Sequence, residues 1–143
     1  MQIETNREVS EVTQPQPRFV EATLDNCAIQ HVQSLPVTSG TPQGDAAEAR
    51  AIHAVFGSEI PVSSLKGNMG HTLGASGPIE LAATIEMTRS GTIYPTHNLA
   101  EIDPACAGIL HVREKTPKQF THFLKNSFAF GGINSAIACT VPR

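Results

Sequence analysis

Residues 63–77 read Ser-Ser-Leu-Lys-Gly-Asn-Met-Gly-His-Thr-Leu-Gly-Ala-Ser-Gly. The apolar approach Ile60–Leu65 predicts a short strand running into this segment. Pro78 behind it suits the first turn of a helix that stops near Gly91. The segment is therefore read as a strand-to-helix turn. Its glycines at 67, 70, 74 and 77 permit close backbone approach and positive φ, so Lys66 and His71 can be presented to a ligand. His71 would stand near a helix N-terminus, where the dipole and free N–H groups favour a neutral imidazole and negative charge on the ligand. Such a ring can donate its N–H to a developing oxyanion. A histidine that merely caps a glycine-rich turn has the same spacing, so these residues alone leave both readings open.

Upstream, Asp45 and Glu48 form a cap-like D-x-x-E pattern ahead of Ala49, Ile52, Val55 and Phe56, which recur at helical spacing up to Gly57. A helix over about 44–56 is expected. The second helix, about 77–90, carries Ile79, Leu81, Ala82, Ala83, Ile85 and Met87 on most of its sides and is expected to be buried. Strands are expected at 60–65, 109–112, 124–130 and 135–141, with a turn at Gly131-Gly132-Ile133-Asn134. Two helices followed by strands with crossover lengths predict an α/β domain, a mixed sheet with helices packed on it. Residues 90–108 read as a long connection. The first 18 residues are polar and end in two prolines, so they read as a leader or linker. Residues 1–36 are left as a polar or unassigned segment, and 37–143 as one domain.

Composition narrows the function. The chain has 143 residues and a net charge of −3 without a basic cluster, which argues against nucleic acid and anionic membrane as partners. Cys27, Cys106 and Cys139 are odd in number and widely spaced, so neither a disulfide framework nor a zinc site is suggested. No apolar run approaches a membrane span or a signal-peptide core, and a soluble, cytoplasmic protein is the expectation.

Two further segments bear on chemistry. Asn126-Ser127-Phe128-Ala129-Phe130-Gly131-Gly132-Ile133-Asn134 could place an aromatic gate and backbone N–H groups at a pocket mouth, or form an ordinary hairpin. Val37-Thr38-Ser39-Gly40-Thr41-Pro42-Gln43-Gly44-Asp45 is a hydroxyl-rich loop ahead of a helix, of a composition common in caps. Together, and in this order, the three segments resemble the β-ketoacyl-ACP synthases. S-S-x-K-x-x-x-G-H-x-x-G-A-x-G is similar to their lysine–histidine motif, N-S-F-x-F-G-G-x-N to their closing glycine-rich motif, and G-T-P-x-G-D to the tail of their H-G-T-G-T-P-x-G-D motif. The resemblance covers about residues 37–141 and is strongest to the elongating enzymes of type II fatty-acid synthesis.

The resemblance implies the C-terminal half of a thiolase-like fold, in which two similar α/β halves enclose a condensing site. It implies that His71 and Lys66 are catalytic, that Phe130, Gly131 and Gly132 line the acyl pocket, and that Ser39 and Thr41 hold the phosphopantetheine arm. Glu80 would be a buried structural acid. No cofactor is implied, because 4′-phosphopantetheine arrives on acyl carrier protein, and no metal. The implied partners are acyl carrier protein and either the N-terminal synthase half or a further copy of the chain. Two departures stand out. The family's nucleophilic cysteine lies far upstream, and none of the three cysteines here sits in its elbow sequence. Val37 occupies the place of the first catalytic histidine; only a local insertion would bring His31 there. The chain alone is therefore expected to be inactive as a 3-oxoacyl-ACP synthase. The alternative is a non-catalytic carrier-binding subunit, like a chain-length factor.

Overall fold

The structure, a computed structural model, describes residues 2–9, 42–129 and 133–142. Its central element is a three-stranded antiparallel sheet. Strand β1 (Gln2–Val9) pairs with β7 (Ile133–Thr140), which pairs on its other side with β6 (His122–Ala129). Gln2–Val9 thus lies in the sheet, although it falls in the stretch read as a polar leader. Ladder pairing uses the backbone, so an outer strand needs no apolar side chains to form. The β6–β7 register closes at Ala129 opposite Ile133, so Ile133 and Asn134 belong to the strand rather than the turn.

Period-two alternation along β6 and β7 builds two cores. Leu124, Ala136 and Ala138 pack on one face with Ala49 and Ile52, with Val62 and with Ile109. Phe123 and Cys139 pack on the other with Leu65, Met87, Ile93, Val112, Phe120 and Val141. Neighbours in sequence therefore face opposite layers, as the pleat requires.

Helix α1 (Pro42–Phe56) covers the first face with a row of buried alanines at 46, 47, 49 and 51, small enough for helix and sheet to approach closely. It begins at Pro42, whose fixed φ and missing N–H suit a first helical position. Asp45 is consequently in the first turn rather than at the cap, where its charge favours the helix dipole. Gly57, at φ 68°, ends the helix, its N–H reaching the carbonyl of His53 at 2.8 Å. A short helix α2 (Lys66–Met69) and a 3₁₀ turn (Leu73–Ala75) lead into α3 (Ser76–Ser90). Gly91, at φ 61°, closes α3.

Helix α3 is only partly buried: Glu80, Met87 and Thr88 are covered, but Ile79 is 41% exposed. It packs along one side, and nothing among the described residues covers the other. The segments expected at 60–65 and 109–112 do not join the main sheet among the described residues. Strands β2 (Pro61–Val62) and β4 (Leu110–His111) pair in parallel as a two-stranded sheet. Between them in sequence lies β3 (Thr92–Ile93), which pairs antiparallel with β5 (Thr116–Pro117). No helix of the described residues is long and apolar enough to cross a membrane.

Candidate active site

The loop that carries Lys66 and His71 is braced from behind. Ser63 and Ser64, both buried, face the connection after β3. Ser63 Oγ donates to the Tyr94 carbonyl at 2.5 Å, and the Ser64 N–H donates to Thr96 Oγ1 at 2.9 Å. Helix α2 follows at once, and its second residue must be glycine. A Cβ at Gly67 would overlap the carbonyl oxygen of His97 and come within 3.1 Å of its carbonyl carbon. Backbone packed on backbone leaves nothing that can rotate away. Gly70, at φ 75°, then reverses the chain and sends His71 outward, into solvent.

The His71 ring is fixed by its own loop. The Leu73 N–H donates to His71 Nδ1 at 3.0 Å, and Leu73 adopts a left-handed φ of 51°. A left-handed leucine is a strained choice that surrounding structure must hold in place. A ring nitrogen that accepts carries no proton, so the ring proton sits on Nε2. His71 thus presents its Nε2–H from an exposed side chain.

Lys66 is half buried, and its charge is felt by Glu48 across from it. Glu48 was not singled out in the sequence as a site residue. It projects from α1 into the interior, wholly buried, and neither carboxyl oxygen has a well-formed hydrogen bond. Burial pushes its carboxyl up to about 8. Asp45 adds to the shift, while the neighbouring Asn126 amide and the Lys66 and Lys125 ammonium groups pull the other way. At neutral pH Glu48 is a protonated acid. Asn126, on β6, is also buried without a well-formed side-chain partner.

On the opposite face of β6 lies a charged pair that the sequence reading also missed. Lys125 is 2% exposed and its Nζ is 2.9 Å from Glu80 Oε2 of α3. Glu80 is therefore buried, as its place after His71 implied. A signal for the pair did exist. Lys125 alternates with Phe123 and Ser127 in an otherwise strand-like run, and a lysine on a core-facing strand position calls for a buried acid.

The remaining expected residues, Ser39, Thr41, Phe130, Gly131 and Gly132, lie outside the described residues, as do Val37 and Cys27. Among the described residues, Glu48 of α1 feels the charge of Lys66, and Lys125 of β6 meets Glu80 of α3. The described cysteines do not look like nucleophiles. Burial pushes the Cys106 thiol up, with Asp103 and Asp45 adding to it, and Cys139 is sealed in the apolar core.

The family described as "Beta-ketoacyl synthase, C-terminal domain" matches residues 10–100. The 3-oxoacyl-[acyl-carrier-protein] synthase 1 of Escherichia coli K12 is 40% identical over 100 residues, 69% of this chain and 25% of that protein. Synthase 2 of Mycobacterium bovis is 39% identical over 111 residues, 77% of this chain and 26% of that protein. The crystal structure of a β-ketoacyl synthase from Burkholderia phymatum superposes with a TM-score of 0.87 at 36% identity, covering 98% of this chain and 36% of that one. A type II polyketide ketosynthase complex with its acyl-carrier protein gives a TM-score of 0.86 at 26% identity, over 99% of this chain and 38% of the matched one. The chain thus spans about a quarter of the curated relatives it matches. On sequence and on fold alike, the chain belongs to the β-ketoacyl synthase family, matching the C-terminal region of its thiolase-like ketosynthases.

Proposed function

We propose that this chain forms the C-terminal portion of a 3-oxoacyl-ACP synthase, which condenses acyl and malonyl thioesters in fatty-acid or polyketide synthesis. The observation that carries this reading is the His71 ring, held with its proton on Nε2 and facing outward. In the reaction the malonyl thioester loses CO₂, and the electron pair of the broken C–C bond moves into an enolate. His71 Nε2–H donates to that enolate oxygen, and Lys66 adds positive potential. The enolate carbon then attacks an acyl thioester, a C–C bond forms, and the thiolate leaves. Ser39 and Thr41 hold the pantetheine arm delivered by acyl carrier protein, and Phe130, Gly131 and Gly132 border the acyl chain. The thiolate comes from a Cys-bearing N-terminal half, so this chain by itself forms no acyl-enzyme.

The test is direct. Incubated alone with an acyl carrier protein thioester, the chain should keep its unmodified intact mass; stoichiometric acylation of Cys27, Cys106 or Cys139 would contradict the reading. Combined with a Cys-bearing half, it should support decarboxylation of malonyl carrier protein, and His71→Ala should cut the rate by about 10²–10³. A second reading is favoured by Val37, which cannot donate a hydrogen bond where the family has a histidine. In that case the chain is a non-catalytic partner that binds carrier protein beside a complete synthase. Val37→His should raise decarboxylation if the first reading holds and leave it unchanged if the second does.

A further inference from the structure

We propose that Lys125 is a positioning residue, whose buried ammonium fixes the His71 loop at a set place against the central sheet. The inference rests on the reading of His71 as an oxyanion donor and deepens it.

Three oxygens from two elements converge on Lys125 Nζ. Glu80 Oε2 of α3 lies at 2.9 Å, a charge contact rather than a well-aligned hydrogen bond. The Asn126 carbonyl accepts at 2.9 Å and Ser127 Oγ at 2.5 Å, both from β6. Two of the three ammonium donors are thus used in hydrogen bonds to β6, and the charge is met by Glu80. The Lys125 and Glu80 side chains are only 2% and 4% exposed, so the pair has given up its hydration. Such pairs add little net stability and can often be replaced by apolar residues without loss. Here the apolar replacement is readily at hand, since Phe123, Met87 and Ile137 belong to the core on this face. What an ion pair supplies and a leucine does not is a fixed geometry between two named atoms.

That geometry reaches His71 through a short, stiff path. Glu80 is the fifth residue of α3, which begins at Ser76. The preceding 3₁₀ turn is tied to the helix: Thr72 Oγ1 lies 3.0 Å from Ser76 Oγ, and the Ala75 N–H donates to the Thr72 carbonyl at 3.0 Å. His71 and its Leu73 partner are thus continuous with a helix end that Lys125 holds to the strand. On the other face of β6, Asn126 lies beside Glu48 of α1, so the strand is held at 125–126 from both layers.

The full chain with ¹⁵N-labelled histidine tests this. Lys125→Met should lower the urea midpoint, because it leaves Glu80 buried without a cation. The double variant Lys125→Met/Glu80→Leu should recover most of that loss. Its His71 ring nitrogens should nevertheless shift toward one another, as the Nε2–H tautomer loses its dominance. A double variant with wild-type stability and wild-type His71 ring signals would show that Lys125 only supports the fold. Lys125→Arg provides a second route that keeps the buried charge. It should fold and still displace the His71 signals, because the longer, forked group cannot keep all three contacts in place; unchanged signals would overturn the proposal. Lys125 is judged by the change between variants and the role of His71 by the wild-type tautomer, so the two failures are distinguishable.

Discussion

Glu48 makes stability depend on pH in a direction opposite to most carboxylates. Its folded value is about 8 against an ordinary 4.5, and burial is the main cause. Below pH 4.5 both folded and unfolded chains carry the proton; between 4.5 and 8 only the folded chain keeps it. Stability therefore falls as pH rises across that window and levels off above it. The total loss is on the order of 3–5 kcal/mol. Glu48→Gln keeps a neutral polar group of the same size and should flatten the urea midpoint between pH 5 and pH 8, about the limits of that window. A wild-type midpoint that rises with pH over the same range would show that Glu48 is ionised in the fold. Gly67 offers a second residue-scale test. Gly67→Ala must move either α2 or the His97 segment, because the obstructing atoms are backbone. Thermal unfolding should report a loss of about 1–3 kcal/mol, together with altered His71 ring signals.

At the scale of elements, α1 and the central sheet are set by small side chains. Ala136 and Ala138 on β7 are fully covered and meet Ala49 and Ile52 of α1. Replacing Ala136 with leucine would insert bulk where no space exists, and overpacking of this kind costs about 1–3 kcal/mol. The helix should lift from the sheet, water should reach Glu48, and its pKa should fall toward the ordinary carboxylate value. The pH dependence of unfolding would thus weaken in Ala136→Leu although Glu48 is intact. If the full pH dependence survived, the burial of Glu48 would not depend on the contact between α1 and the sheet. The alternation that creates this contact is legible in β6 and β7 as written. The crossover pairing of β2 with β4 is not, because two residues on each strand are too few to show a period.

Across the molecule, the described residues leave apolar groups uncovered. Leu73 is 77% exposed, Ile79 41% and Leu110 48%, and the first two flank the start of α3. Single exposed leucines are unremarkable, but Leu73 and Ile79 stand together at one end of α3, where nothing among the described residues covers them, and such a patch suits a partner. The isolated chain should therefore self-associate, and Ile79→Glu should shift its sedimentation toward monomer. A monodisperse, cooperatively unfolding monomer of the unaltered chain would contradict this.

The α/β class, both long helices, the main strands and the family were legible in the residues alone. All of these rest on local periodicity, on glycine and proline punctuation, and on ordered motifs. The sequence also carried His71 and Lys66 to one loop, since both belong to one short segment. That Gln2–Val9 joins the sheet is visible in the fold alone, because strand pairing satisfies backbone groups that every sequence carries. Only the fold could place Glu48 beside Asn126 and Lys125 beside Glu80. Those partners are 78 and 45 positions apart, by subtraction of their residue numbers. The value of a buried charge depends on which layer it faces and on what that layer supplies. A one-dimensional pattern shows a lysine in a strand; the folded layers decide whether it meets water or a carboxylate.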